Sequence, residues 1–392
     1  MWMALALAAL MAAPGTPSRP VLSPDEAAPF VAANYWRFSG AYAAPEIDPW
    51  RPRPIVTGRP DLVVRNGEAV QDAVNAAYRM GGTTRRRIAI MPGTYTGTVF
   101  IPAGSPPLTI YGAGRPQDVR LQFTVDATIT PAAWAALVNP DGRYAPDDPA
   151  WPMFQSCATK TSATAGLCAT VVWAQSADLQ LKDLTITNTL LDTVDRGTHQ
   201  ALALRTDADR TQLEDLRLIG RQDTLLTNAD DVARIARVSV RDSYIEGDTD
   251  FVFGRAAAVF DRCHFRLVSS RKNSGGVIFA PNTAPAFPYG FLVTHSLIDA
   301  DRGYRDAPTG FLGRAWDQGA SATGYVPGVT PNGQLVLRDS LLSPGFNPVT
   351  PWAPAATTGR PFLARTDPGR DLNDVNYNRL WEYSNVGPGA PN

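Results

Sequence analysis

One phrase recurs through the second half of the chain and limits the folds open to it. An apolar stretch enters a polar doublet, followed by a small or apolar residue and then another apolar position. It occurs as LKDLTI ending at Ile186, LEDLRL at Leu218, VRDSYI at Ile245, FDRCHF at Phe265, VTHSLI at Ile298 and LRDSLL at Leu342. Taking the residue after the doublet as a register mark gives Leu184, Leu216, Ser243, Cys263, Ser296 and Ser340, at intervals of 32, 27, 20, 33 and 44 residues. Short strands recurring at such spacing, with loops of variable length between them, describe a solenoid. The units are rich in Val, Ile, Thr and Phe and lack a 3.6-residue period, which argues against helical repeats. A parallel β-helix with one turn per repeat fits best, and a β-sandwich with coincidental likeness is the competing architecture. Cys263 stands where other units carry Leu or Ser, so it should be an inert thiol pointing into the stack.

The ends read as caps. Residues 67–80, GEAVQDAVNAAYRM, place apolar side chains at helical spacing and could close the N-terminal end. Residues 14–60 are Pro-rich and irregular. Residues 115–170 interrupt the rungs with Pro, Asp and Trp and read as an excursion. No linker is evident, so residues 16–392 are expected to form a single domain.

Residues 3–13, MALALAALMAA, are an apolar run too short to span a bilayer. They read as the core of a signal peptide over residues 1–15, with Ala13-Pro14-Gly15 as an imperfect cleavage site, though Met1-Trp2 lacks a basic residue. Export to the periplasm or beyond follows. No cysteine follows the run, so no lipid anchor is expected there. In an exported chain, Cys157 and Cys168, eleven apart in a Ser/Thr/Ala-rich stretch that reads as a loop, are the natural disulfide pair.

Lys and Arg total 36 against 37 Asp and Glu, a net charge of −1, so no nucleic-acid partner is implied. The three histidines, His199, His264 and His295, show no metal-ligand spacing. HExxH, CxxC, P-loop and GxSxG signatures are all missing. The chemistry is therefore expected to run on carboxylates, amides and arginines, with no metal and no cofactor.

The register mark also sorts the polar residues. Asp223 lies seven residues after Leu216, and Asp250 lies seven after Ser243. Equal offsets on consecutive turns stack the two carboxylates about 4.8 Å apart, the spacing of neighbouring strands. Two acids held that close do not both ionise readily, so one should carry a raised pKa and serve as an acid beside a base or nucleophile. Solvated turn aspartates are the bland alternative for either residue alone.

The blocks THQALAL (198–204), GRQDTLL (220–226), YIEGDTDFVFG (244–254) and LGRAW (312–316) resemble, in order and spacing, the signatures of the pectin methylesterases, carbohydrate esterase family 8. Weaker likeness extends over residues 65–390. The resemblance implies a right-handed parallel β-helix and an enzyme acting on methyl-esterified pectin, a polysaccharide, without cofactor, as a monomer. It also implies roles. Asp250 would be the nucleophile and Asp223 the general acid that then becomes the base. Gln222 would stabilise the oxyanion, with Gln200 as the second glutamine. Arg314 would pair with the nucleophile and Trp316 would form a sugar platform. Phe253 and Thr249 would face the substrate groove. Arg221 and Arg255 flank the acid blocks and could reach substrate carboxylates, whereas His199 reads as a packing or solvent-facing residue.

Ala315, where the family usually has Pro, and Arg255, where it usually has Asn, depart from the pattern. With the Pro-rich N-terminal region, the excursion and VNYNRLWEYSN (375–385), they make the chain similar to a divergent bacterial branch. That branch includes surface-attached esterases and members described as acyl-CoA thioesterases. A thioesterase using the same aspartates is thus the alternative activity, and a non-catalytic polysaccharide-binding solenoid the alternative without chemistry. A β-helical lyase would want calcium-binding acid clusters and a basic catalyst, which the sequence does not show.

Overall fold

A computed structural model describes residues 15–272, 274–320 and 324–391. The signal-peptide reading lies almost wholly outside them. Three parallel sheets of ten, eight and seven strands run the length of the molecule, and each complete turn of chain contributes one strand to each sheet, the end turns being partial. One such turn is Thr211–Glu214, Arg217–Ile219 and Leu225–Asn228; the next is Arg237–Arg241, Tyr244–Gly247 and Val252–Gly254. The fold is the parallel β-helix expected, and the sandwich alternative is set aside.

Stacking repeats the same side-chain position rung after rung. In the ten-stranded sheet Ile110, Leu181, Leu213, Val240, Phe260, Val293 and Leu337 pair in sequence. In the eight-stranded sheet Ile186, Leu218, Ile245, Phe265, Ile298 and Leu342 do the same. All are buried, so each aliphatic or aromatic side chain contributes on the order of 1.5–3 kcal/mol to the core.

The polar doublet marks the bend between these two sheets. Its second residue has a left-handed backbone in every repeat: Asp183, Asp215, Asp242, Arg262, His295 and Asp339, with φ between 48° and 55°. Aspartate tolerates that conformation better than most residues, which explains why four of the six are Asp. The residue after it turns inward, and where it is Ser its hydroxyl satisfies a backbone N–H of the bend. Ser243 Oγ accepts from Leu216 N, Ser296 Oγ from Cys263 N, and Ser340 Oγ from Ser296 N, at 3.0–3.1 Å. Cys263 is buried in this row as a free thiol, and burial pushes its pKa up to about 12.

Helix Val70–Met80 packs on the first rung and closes that end. The N-terminal segment begins at the opposite end, where Leu22 N donates to Glu382 O and Arg19 forms a buried ion pair with Glu382. It then crosses the ten-stranded sheet through Tyr35, Trp36, Tyr42 and Ile55. Leu62–Val64 finally joins the sheet as its first strand.

The stretch 115–170 is more regular than the sequence suggests. Val119–Phe123 is a strand of the eight-stranded sheet, and the excursion proper starts after it. It folds two helices, Pro131–Val138 and Trp151–Ala158, over the outer face of the seven-stranded sheet, where Trp134 and Phe154 enclose Phe100 and Trp173. Cys157 and Cys168 are joined as expected. They do not share a loop: Cys157 ends the second helix and Cys168 lies in a 3₁₀ turn. Trp134 Nε1 donates to Cys168 O at 2.9 Å beside the bridge.

Candidate active site

The acid blocks fall at the corner where the eight-stranded sheet hands over to the seven-stranded one. Gln200, Gln222 and Thr249 form a ladder there, each bridged to the next in parallel. Asp223 N donates to Thr249 O at 3.0 Å, and two residues on Leu225 pairs with Val252. The equal sequence offset thus becomes equal height on adjacent rungs. Both aspartates have a left-handed backbone, with φ of 65° at Asp223 and 47° at Asp250, which breaks strand alternation. After the break, Phe251 and Val252 enter the core while Phe253 joins Leu202, Leu226 and Ala280 in a separate outer cluster.

Glycines bracket the second block because nothing larger fits. A Cβ on Gly254, whose φ is +126°, would run into the Thr227 carbonyl, and one on Gly247 into the Arg221 carbonyl.

Electrostatics separate the two acids. Arg314 grips Asp250 through two hydrogen bonds, Nε to Oδ1 at 2.8 Å and Nη2 to Oδ2 at 2.5 Å, a fork that favours the carboxylate. Asp223 has no such partner. Burial first, then the neighbouring Asp250 charge, push its carboxyl well above the usual range; the Gln200 amide, donating to Oδ2 at 2.8 Å, offsets this in part. Burial thus favours the neutral form of Asp223, beside an aspartate paired with arginine.

The LGRAW block places the arginine and the tryptophan together. Leu312 and Ala315 point inward, whereas Trp316 packs on the outer cluster with its ring 5.7 Å from Phe253. Thr249 Oγ1 is buried beside the pair without a hydrogen-bond partner. Gln222 Oε1 accepts from His199 N at 2.9 Å, so the amide NH2 is the end left to donate.

Two arginines that the sequence left as possible substrate contacts are consumed by the protein. Arg221 is taken by Asp192, at 2.6 and 3.0 Å, and by Glu246 at 2.9 Å. Arg255 donates to Val232 O and Gln318 Oε1, tying down a loop. Neither is free to read a sugar carboxylate.

Sequence reasoning missed a buried pair below the site. Arg271 donates to both oxygens of Asp248, at 2.8 and 3.1 Å, and both side chains are almost fully excluded from water. Its remaining nitrogen reaches the carbonyls of Asp195 and Gly197 at 3.2–3.3 Å, clamping the loop that leads into Gln200. The acidic block GDTD carried half of this signal in Asp248; no spacing pointed to Arg271.

A parallel β-helix with an arginine-held aspartate stacked on a buried one has the groups that hydrolysis of a carboxylic ester needs. Residues 154–325 match the family model described as Pectinesterase. The chain is 52% identical to Pectinesterase B of Dickeya dadantii over 390 residues, 95% of this chain and 90% of that protein. It is 42% identical to the putative acyl-CoA thioester hydrolase YbhC of Escherichia coli over 401 residues, 96% of this chain and 90% of that one. The solved structure of rice weevil pectin methyl esterase superposes with a TM-score of 0.87 at 40% identity, covering 96% of this chain and 99% of that one. The chain belongs to the pectinesterase family and is a carboxylic ester hydrolase.

Proposed function

We propose that this chain is a pectin methylesterase that hydrolyses the C6 methyl esters of polygalacturonate to methanol and pectate. The observation that carries the reading is the asymmetry of the acid pair. Asp250, ionised on Arg314, attacks the C6 carbonyl. The negative charge that develops on the carbonyl oxygen is met by the amides of Gln222 and Gln200. As the tetrahedral intermediate collapses, the C6–O bond breaks and protonated Asp223 gives its proton to the departing methoxide. The acyl group now forms an anhydride with Asp250. Asp223, left as a carboxylate, takes a proton from water, whose oxygen attacks C6 and releases the acid. Asp250 returns as carboxylate and Asp223 as acid, so no cofactor enters.

Trp316 and Phe253 present apolar faces to a sugar ring beside these groups, and Thr249 is the polar wall beneath. We read the enzyme as exported and acting as a monomer on an extended polysaccharide. Among the described residues no helix is long and apolar enough to cross a membrane. The likeness to YbhC keeps a thioester substrate as the second reading, since the same aspartate pair would handle either carbonyl. Methanol release from methyl-esterified polygalacturonate, with acyl-CoA as comparator, decides between them. Acyl-CoA hydrolysis without methanol release would overturn the pectin reading.

A further inference from the structure

The acid pair and its glutamines leave one cluster unused. His199 sits half-buried between two carboxylates, Nδ1 2.7 Å from Asp126 Oδ2 and Nε2 3.1 Å from Asp195 Oδ1. An ionised carboxylate only accepts, and a neutral imidazole carries a single N–H, so it can serve just one of them. Both contacts are hydrogen bonds only when both ring nitrogens hold protons.

The carboxylates are fixed from elsewhere. Asp126 Oδ1 accepts from Thr128 N at 3.0 Å, and Asp195 Oδ1 from Gly197 N at 2.6 Å. The Gly197 N–H first, then His199, hold the Asp195 carboxyl below its usual range. Arg271 also faces this loop, and it is committed to Asp248 and to the Asp195 and Gly197 carbonyls.

Both glutamines depend on this seam. The His199 N–H donates to Gln222 Oε1, while the Gln200 carbonyl accepts from Ala127 N at 3.0 Å. Asp126 and Ala127 lead into the helical excursion. Two consecutive residues of the catalytic rung are therefore tied to two consecutive residues of the excursion, and the imidazole is the side-chain half of the tie.

We propose that His199 is a positioning residue whose imidazole, bridging Asp126 and Asp195, locks the Gln222–Gln200 rung between the excursion and the 195–197 loop. The glutamines serve the developing oxyanion, so loosening that rung should lower kcat and leave KM little changed. The inference rests on the glutamine roles proposed above.

The test compares wild type with His199→Gln and Asp126→Asn, using His295→Gln as control because His295 is an exposed partner of Asp261. Methanol release is followed against substrate concentration to separate kcat from KM, and thermal unfolding reports that each variant is folded. We expect His199→Gln to lose roughly tenfold in kcat, with KM within about twofold. Asp126→Asn should show the same split, a lower kcat at nearly unchanged KM, and His295→Gln should change neither. An unchanged kcat in folded His199→Gln would overturn the proposal. If the wild type releases no methanol, the pectin reading fails by itself. The clamp then stands or falls on whether His199→Gln and Asp126→Asn lower kcat on the ester that the enzyme does hydrolyse.

Discussion

Arg314 holds both oxygens of Asp250, at 2.8 and 2.5 Å, whereas Asp223 on the adjacent rung receives, among the described side chains, only the Gln200 amide, at 2.8 Å. A guanidinium can stabilise a carboxylate through the whole catalytic cycle, but an amide leaves its partner free to gain and lose a proton. Substitution should separate the two roles. Asp250→Asn removes the attacking oxygen and is expected to lower kcat by at least ~10³-fold. Asp223→Asn should cost a similar factor on methyl esters but less on an ester with a better leaving group, such as a nitrophenyl ester, because the missing proton is then less needed. A loss under about tenfold for Asp250→Asn would exclude nucleophilic catalysis.

Asp223 should also leave a mark on stability. Its native pKa is raised, by burial first and by Asp250 second. Between the unfolded and the native pKa the folded protein binds a proton that the unfolded chain has lost, so stability falls as pH rises through that window. Asp223→Asn removes the effect at nearly constant volume. Its melting temperature should therefore exceed that of wild type at neutral pH, and the gap should close as pH falls towards 4. A gap independent of pH between 4 and 7 would contradict the buried, protonated state.

Sequence reasoning reached the acid pair because a solenoid converts an equal offset into equal height, and the doublet register was audible in every turn from Leu184 to Ser340. Other features were hidden for one physical reason. Arg221, Arg255, Arg271 and His199 all find partners on loops between rungs, and loop length carries no register. Arg221 and Asp192 are 29 residues apart and His199 and Asp126 are 73 apart, with no repeat linking them. Composition likewise gave no sign that the excursion would build its own aromatic core around Phe100 and Trp173.

The buried pair Asp248–Arg271 should behave as a unit. Arg271→Met leaves Asp248 unpaired in a dry site, which is expected to cost about 3–5 kcal/mol, as is Asp248→Leu for the converse reason. The double variant should cost clearly less than the sum of the two. Urea unfolding of the four proteins measures the coupling, and strict additivity would mean that the two side chains do not depend on one another.

The disulfide offers a separate handle on the excursion. Thiol titration of the denatured, unreduced protein should find one thiol, Cys263, which should be unreactive in the native state because burial raises its pKa to about 12. Replacing Cys157 and Cys168 by Ser should cost about 2–4 kcal/mol. Three thiols in the unreduced protein would exclude the bridge.

Trp316 bears on what the enzyme accepts. Its ring packs on Phe253 in the cluster formed with Leu167, Leu202 and Leu226, two residues from the arginine that holds Asp250. Leu167 belongs to the excursion side, so the platform is bounded by the excursion at one edge and by the acid pair at the other. A pyranose ring offers C–H faces that stack on an indole, and the ring also fixes the distance from its C6 ester to Asp250. Trp316→Ala should therefore weaken action on esterified polygalacturonate by roughly 1–3 kcal/mol in kcat/KM. A small nitrophenyl ester, which needs no sugar platform, should be affected much less. Equal losses on both substrates would mean that Trp316 supports the fold of the site and does not bind the sugar.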